Sequence, residues 1–294
     1  MAIANTLVLP TVPSAQQAQR VFERSLIASL GNSDGATSVG FTMRALKMTA
    51  SNVRERLSQE HWRVIVRAEE ELFAGCAENA QHLEYSALEA MRVLKNANKH
   101  MAAITGAQTD RMTRDDGWRL LSIGRNIERL GFLSSSLLSG LKTGAVHTDG
   151  GFDAMLALFD STITFHALYQ QSRDLPALID LLVLDRDSPR SLAWVAHTLR
   201  GRLAKLAGSD PGVLSSMSFK VPDVGAWSLS KLCEAQQMLP WGDELGAEIR
   251  PSPGYFFELN ALLLECVSAS YKVSDEISAA YFTHSGVTNQ SLGT

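Results

Sequence analysis

The stretch that decides the fold is Asp115 to Leu141, DDGWRLLSIGRNIERLGFLSSSLLSGL. Leu120, Ile123, Ile127, Leu130, Leu137 and Leu141 recur at the spacing of one buried stripe on an α-helix. Gly117, Gly124 and Gly131 fall a heptad apart along the edge of that stripe. With about 100° of rotation per residue, Glu128 projects just beyond the glycine row, and Arg125, Arg129 and Trp118 follow round the same side. A glycine inside a helix costs about 1 kcal/mol against alanine. The row therefore predicts close approach of a neighbouring backbone, with Glu128 buried and held by an arginine: Arg125, Arg129 or one between Arg54 and Arg63. The alternative for Arg and Glu at helical spacing is a solvated surface pair, worth only tenths of a kcal/mol.

Outward from this helix the chain reads as helices throughout. Towards the N-terminus, Ser14–Leu30 is a short helix stopped by Gly31-Asn32-Ser33-Asp34-Gly35, and a second runs from about Ser38 to Leu57. Ser58 is the expected cap of a third helix that ends at Gly75-Cys76, and a fourth spans Gln81–Ile104. Thr113 with Asp116 resembles a capping arrangement for the central helix.

Towards the C-terminus, one helix is expected over Phe152–Gln171. Leu175–Leu184 (LPALIDLLVL) is a short core helix rather than a strand, because Pro176 sits at its front. Ser188 as cap with Pro189 in first position predicts a helix to about Leu206, which puts Arg190 in its first turn. Ser209–Pro222 is irregular. A helix follows Trp227 and ends before Pro240, and Ser252-Pro253 opens the last helix, Gly254–Tyr281. No stretch alternates with period two over strand length. The expectation is an all-α, bundle-like single domain of about nine to ten helices. Its bounds are an arm and short helix over 1–35, the helical domain over 36–284 and a loose tail over 285–294.

Composition bounds the function. The 294 residues are 45% hydrophobic and 20% charged, as in ordinary globular proteins, and a net charge of −4 carries no nucleic-acid signature. No apolar run reaches the eighteen or so residues of a membrane span. The first residues, MAIANTLVLPTVPSA, lack a positive n-region and read as an arm rather than a signal peptide. Cys76, Cys233 and Cys266 are odd in number and scattered, which predicts reduced core thiols in a cytoplasmic protein.

Gly150-Gly151 lacks the lysine and serine of a phosphate loop, and no histidine pair has metal-ligand spacing, so neither metal nor cofactor is expected. What stands out is arginine and tryptophan at helix starts: Arg54, Trp62, Trp118, Arg119 and Arg190. An arginine near a helix N-terminus opposes the dipole and calls for an acidic partner or an anion. The other account is a surface arginine whose stem packs over apolar neighbours.

Five segments in order resemble the Alpha-E family of helical bacterial proteins. They are Asn52-x-Arg54-x-x-Leu57-Ser58-x-Glu60-x-Trp62-Arg63, Trp118-Arg119-x-Leu121-x-x-Gly124-Arg125-x-x-Glu128-Arg129 and Asp160-Ser161-x-x-Thr164-Phe165. Leu181-Leu182-x-Leu184-Asp185-x-x-x-Pro189-Arg190-Ser191 and Ser274-x-x-Ile277-x-x-x-Tyr281-Phe282-x-His284 complete the set. The family's usual first helix, with its own W-L-G-R-x-x-E-R copy, is reduced here to Val21-Phe22-Glu23-Arg24, and one motif arginine is replaced by His166. These departures mark a truncated or divergent member, or a piece of a longer fusion.

The resemblance implies companionship with circularly permuted ATP-grasp proteins and with transglutaminase-like proteins, in a system that forms peptide or amide bonds. It leaves three readings of the chain's own role. In a binding module, Arg125, Arg129 and Arg190 hold a carboxylate or phosphate and Glu128 orients them. In an enzyme, Glu128 is general acid or base. In a structural, homo-oligomeric scaffold, the charges fix helix register.

Overall fold

In a computed structural model of the chain, residues 16–35, 38–81, 86–170, 172–210, 212–234 and 256–282 are described, and among them there is helix and no strand. The described α-helices are α1 (Gln16–Ser29), α2 (Val39–Asn52), α3 (Gln59–Gln81), α4 (Ala87–Asp110), α5 (Asp116–Lys142), α6 (Asp149–Leu158), α7 (Thr162–Tyr169), α8 (Leu175–Ile179), α9 (Leu192–Leu206), α10 (Leu229–Leu232) and α11 (Phe257–Tyr281). The helices gather into two compact units, 1–118 and 119–294. Each has its own apolar cluster.

In the first unit, α3 and α4 run antiparallel, their faces closed by Ile65, Ala68, Leu72, Val93, Ala97 and Ile104, with Met43 and Ala50 of α2 beside them. Polar contacts track the pairing: ion pairs of Glu60 with Arg111 at 2.6 Å and Glu78 with Arg92 at 3.9 Å, and a hydrogen bond between Glu71 and His100 at 2.8 Å. Ser58 caps α3 as expected, accepting from the His61 amide at 3.1 Å. The expected stop at Gly75 is wrong. α3 continues to Gln81 because Gly75 makes room for the Val93 side chain of α4. α4 accordingly starts later, at a Ser86 cap that accepts from the Glu89 amide. The second expected helix breaks at Asn52, and Arg54–Arg56 form a 3₁₀ turn.

The stripe of α5 anchors the second unit. Ile123, Ile127, Leu130 and Leu137 are buried there together with Leu133, and Leu120 and Leu141 pack against the same cluster. α6, α8, α9 and α11 add to it, among others with Leu156, Leu178, Leu199 and Leu262, all with no exposed surface. At roughly 25 cal/mol per Å² of apolar surface removed from water, this burial is the main stabilising term. The α5 cap is Asp115, which accepts from the Trp118 amide at 3.0 Å, and not Thr113.

Phe152–Gln171 is two helices, broken where Asp160 takes a left-handed φ of 49°. Leu175–Leu184 is helical as predicted and widens into a π-turn at Asp180–Leu184. α9 begins after a Ser191 cap, so Pro189 and Arg190 lie in the preceding turn and not in the helix. The expected start Ser252-Pro253 and the 285–294 tail lie outside the described residues. No described helix is long and apolar enough to cross a membrane.

Candidate functional site

Arg125 and Arg129, one turn apart on α5, stand on the same side of the second unit as Arg190. The Arg129 Nη2 donates to the Pro189 carbonyl at 2.7 Å, which brings it beside the turn that carries Arg190. Arg190 reaches across to Asp160, Nη2 to Oδ2, at 2.9 Å. Burial lowers the Arg129 pKa from its ordinary value, and the charges of Arg125 and then Arg190 press it the same way. Arg125 itself has no ion pair among the described residues. Three guanidinium groups therefore share one region with a single carboxylate paired to one of them.

Local backbone chemistry holds this arrangement. The Asp185 carboxylate accepts from the amides of Asp187 and Ser188, at 2.8 and 3.1 Å, and folds the turn before α9. The Ser191 hydroxyl donates to the Asp185 carbonyl and accepts from the Trp194 amide, closing the turn onto the helix. On the facing side, Asp160 is strained into the left-handed region while Ser161 beside it is buried and donates to the Phe159 carbonyl at 3.0 Å. A left-handed φ at a non-glycine residue persists only where its surroundings enforce it, and such positions gather at functional sites.

Several expectations are corrected here. Glu128 is exposed rather than buried, and no ion pair joins it to an arginine among the described residues. Desolvation of the part that is covered pushes its carboxyl above the ordinary glutamate value. The glycine row does not mark a helix contact at Gly124, where an added Cβ would meet nothing within 4 Å among the described residues. At Gly117 the close neighbour is a side chain, the Arg56 guanidinium, which pairs with Asp115.

Of the remaining candidates, Arg54 lies over the Trp62 ring at 5.5 Å and donates to the Leu57 carbonyl at 2.8 Å. Trp118 donates from its ring nitrogen to the Gln108 carbonyl at 3.0 Å, with Arg114 over its face at 4.6 Å. Those contacts hold helix ends together within the first unit. Arg119 falls in the second unit and is half-buried. Asp160 and Asp185 are missing from the sequence-derived site, although both stand in the quoted motifs. Their signal was an aspartate followed by serine or by a capped turn.

A helical fold with an arginine cluster defines a class and no more. The chain belongs to the Alpha-E family, described as a predicted alpha-helical domain with a conserved ER motif, whose model matches residues 3–282. The match takes in α1, which the sequence-based bounds leave outside the main domain. Glu128-Arg129 is one Glu-Arg pair of this chain, as are Glu23-Arg24 and Glu55-Arg56.

Among curated proteins, the chain is similar to an uncharacterized protein of Mycobacterium tuberculosis (strain ATCC 25618 / H37Rv), 27% identical over 174 residues. The alignment covers 57% of this chain and 19% of that relative. An uncharacterized protein of Mycobacterium bovis (strain ATCC BAA-935 / AF2122/97) matches with the same identity and coverage. The chain thus spans about a fifth of the length of these relatives. No solved structure matches it.

Proposed function

We infer that this chain is a cytoplasmic binding component of an amide-bond-forming system, taking a carboxylate- or phosphate-bearing ligand at Arg125, Arg129 and Arg190. The observation that carries the reading is the imbalance of charge: three arginines gather, and among the described residues one acid, Asp160, forms an ion pair with them. Guanidinium groups are planar, permanently charged forks suited to carboxylate and phosphate, and crowding several of them is unfavourable until an anion enters. The same family membership supports a circularly permuted ATP-grasp protein as partner, with transglutaminase-like proteins as further companions. An ATP-grasp enzyme activates a carboxylate as an acyl phosphate and passes it to an amine, so an anion-holding helical companion fits that chemistry.

The test has two arms. Isothermal titration with glutarate and with inorganic phosphate separates the two anion classes, and co-expression with a circularly permuted ATP-grasp protein from the same genome tests association. Arg125→Gln and Arg190→Gln should each weaken anion binding at least tenfold while the helical circular dichroism stays intact. Unchanged binding in both variants, or no binding of either anion by the wild type, overturns the anion site. Failure to co-purify overturns the partnership.

The raised Glu128 carboxyl favours a second reading, proton transfer within the assembled complex. It predicts an activity of the complex that Glu128→Gln abolishes while anion binding survives. The scaffold reading rests on a buried Glu128–arginine pair, and Glu128 is exposed.

A further inference from the structure

A second site lies further along α9. His197, Arg200, Gly201, Ala204 and Lys205 form one face of the helix, and with Asp210, Val213 and Leu214 they line a half-open pocket of 490 Å³. That volume falls within the roughly 300–1,000 Å³ of small-molecule sites. Gly201 and Ala204 make a floor of small residues, and an added Cβ at Gly201 would meet nothing within 4 Å among the described residues. The glycine is thus not required by packing, and what it leaves is the space of the pocket.

The rim carries both signs of charge. Arg200 is mostly buried, fixed by Asp223 at 2.7 Å through Nη1, while its Nε has no hydrogen-bond partner among the described residues. Lys205 and Asp210 both line the cavity, and neither has an ion pair among the described residues. Val213 and Leu214 supply an apolar wall. A simple anion would satisfy Lys205 and Arg200 and leave Asp210 unanswered. A cation would do the reverse.

We propose that this pocket binds a small zwitterion with an aliphatic side chain, an amino acid or the two ends of a short peptide. The carboxylate faces Arg200 and Lys205, the ammonium faces Asp210, and the side chain lies on Val213 and Leu214. The site is independent of the arginine cluster on α5, since neither Arg125 nor Arg129 lines it.

Isothermal titration of the full chain with L-alanyl-L-leucine, and with the same dipeptide blocked as its N-acetyl amide, tests this. The free dipeptide should bind, and blocking both ends should weaken it at least tenfold. Gly201→Leu puts bulk into the floor at a position where an added Cβ meets nothing within 4 Å among the described residues, and it replaces a poor helix former with a good one. It should fold, melt no lower than wild type and lose the dipeptide. Lys205→Ala, at an exposed position, should weaken binding several-fold with no change in melting. Absence of binding by the wild type overturns the proposal, as does equal binding of the blocked dipeptide or undiminished binding by Gly201→Leu. Loss of dipeptide binding in Arg125→Gln would move the ligand to the other site and overturn it as well.

Discussion

At the scale of single residues, Glu128 separates what helical spacing can say from what it cannot. Spacing places it beside two arginines. It does not say whether a neighbour covers them, and here an added Cβ at Gly124 would meet nothing within 4 Å among the described residues. A carboxylate with a raised pKa is less comfortable ionised in the fold than in the unfolded chain. The protonated carboxyl therefore favours the folded state, fully so below the unfolded glutamate value, and that contribution is lost as pH rises through the folded one. Glu128→Gln should accordingly leave stability at neutral pH within about 0.5 kcal/mol of wild type, as surface changes do. Denaturant unfolding at pH 7 checks this, and a loss of several kcal/mol would restore the buried ion pair. Arg125, Arg129 and Arg190 were legible because their motifs name them. Asp160 stands in a quoted motif as well, but no side-chain pattern announces its left-handed backbone or its pairing with Arg190.

At the scale of elements, the glycines of α6 give a controlled pair. Gly150 and Gly151 both lie in its first turn, where Thr148 caps the helix by accepting from the Gly151 amide at 3.2 Å. A Cβ at Gly151 would sit on the Ala145 carbonyl, a backbone atom that cannot turn aside, while a Cβ at Gly150 meets nothing within 4 Å among the described residues. Gly151→Ala should cost about 1–3 kcal/mol, the range of overpacking. Gly150→Ala should be neutral or slightly stabilising. Thermal melts of the two variants side by side decide it, and equal melting would show that the turn can relax.

The same logic explains which helix ends were legible. Ser58 was, because its hydroxyl has one amide within reach. The end of α3 was not, because Gly75 answers to Val93, a residue eighteen positions away that local sequence cannot see. Ser188 lost its capping role because the Asp185 carboxylate takes its amide first and hands the cap to Ser191.

At the scale of the whole molecule, the all-α fold was legible from periodicity, since apolar stripes at helical spacing recur from one end of the chain to the other. The division into two units was not. It depends on which stripes share a core, and period alone is silent on partners. Each unit having its own cluster means that a perturbation can be addressed to one of them. His61 of α3 is such a handle: it is only 4% exposed, and burial lowers its pKa below the ordinary 6.5. The neutral ring is thus favoured in the folded unit, and between the folded and unfolded values the unfolded chain binds more protons. The stability His61 permits is fully present above about pH 6.5, falls as the solution is acidified below that, and levels off beneath the folded pKa. His61→Gln removes the titration. Hydrogen exchange at pH 7 and pH 5 should therefore show amides of α2, α3 and α4 losing protection on acidification in the wild type, and losing less in the variant. Amides of the second unit should respond alike in both proteins, because His61 contributes nothing to their core. Identical acid sensitivity of α3 in the two proteins would show that another group governs the first unit.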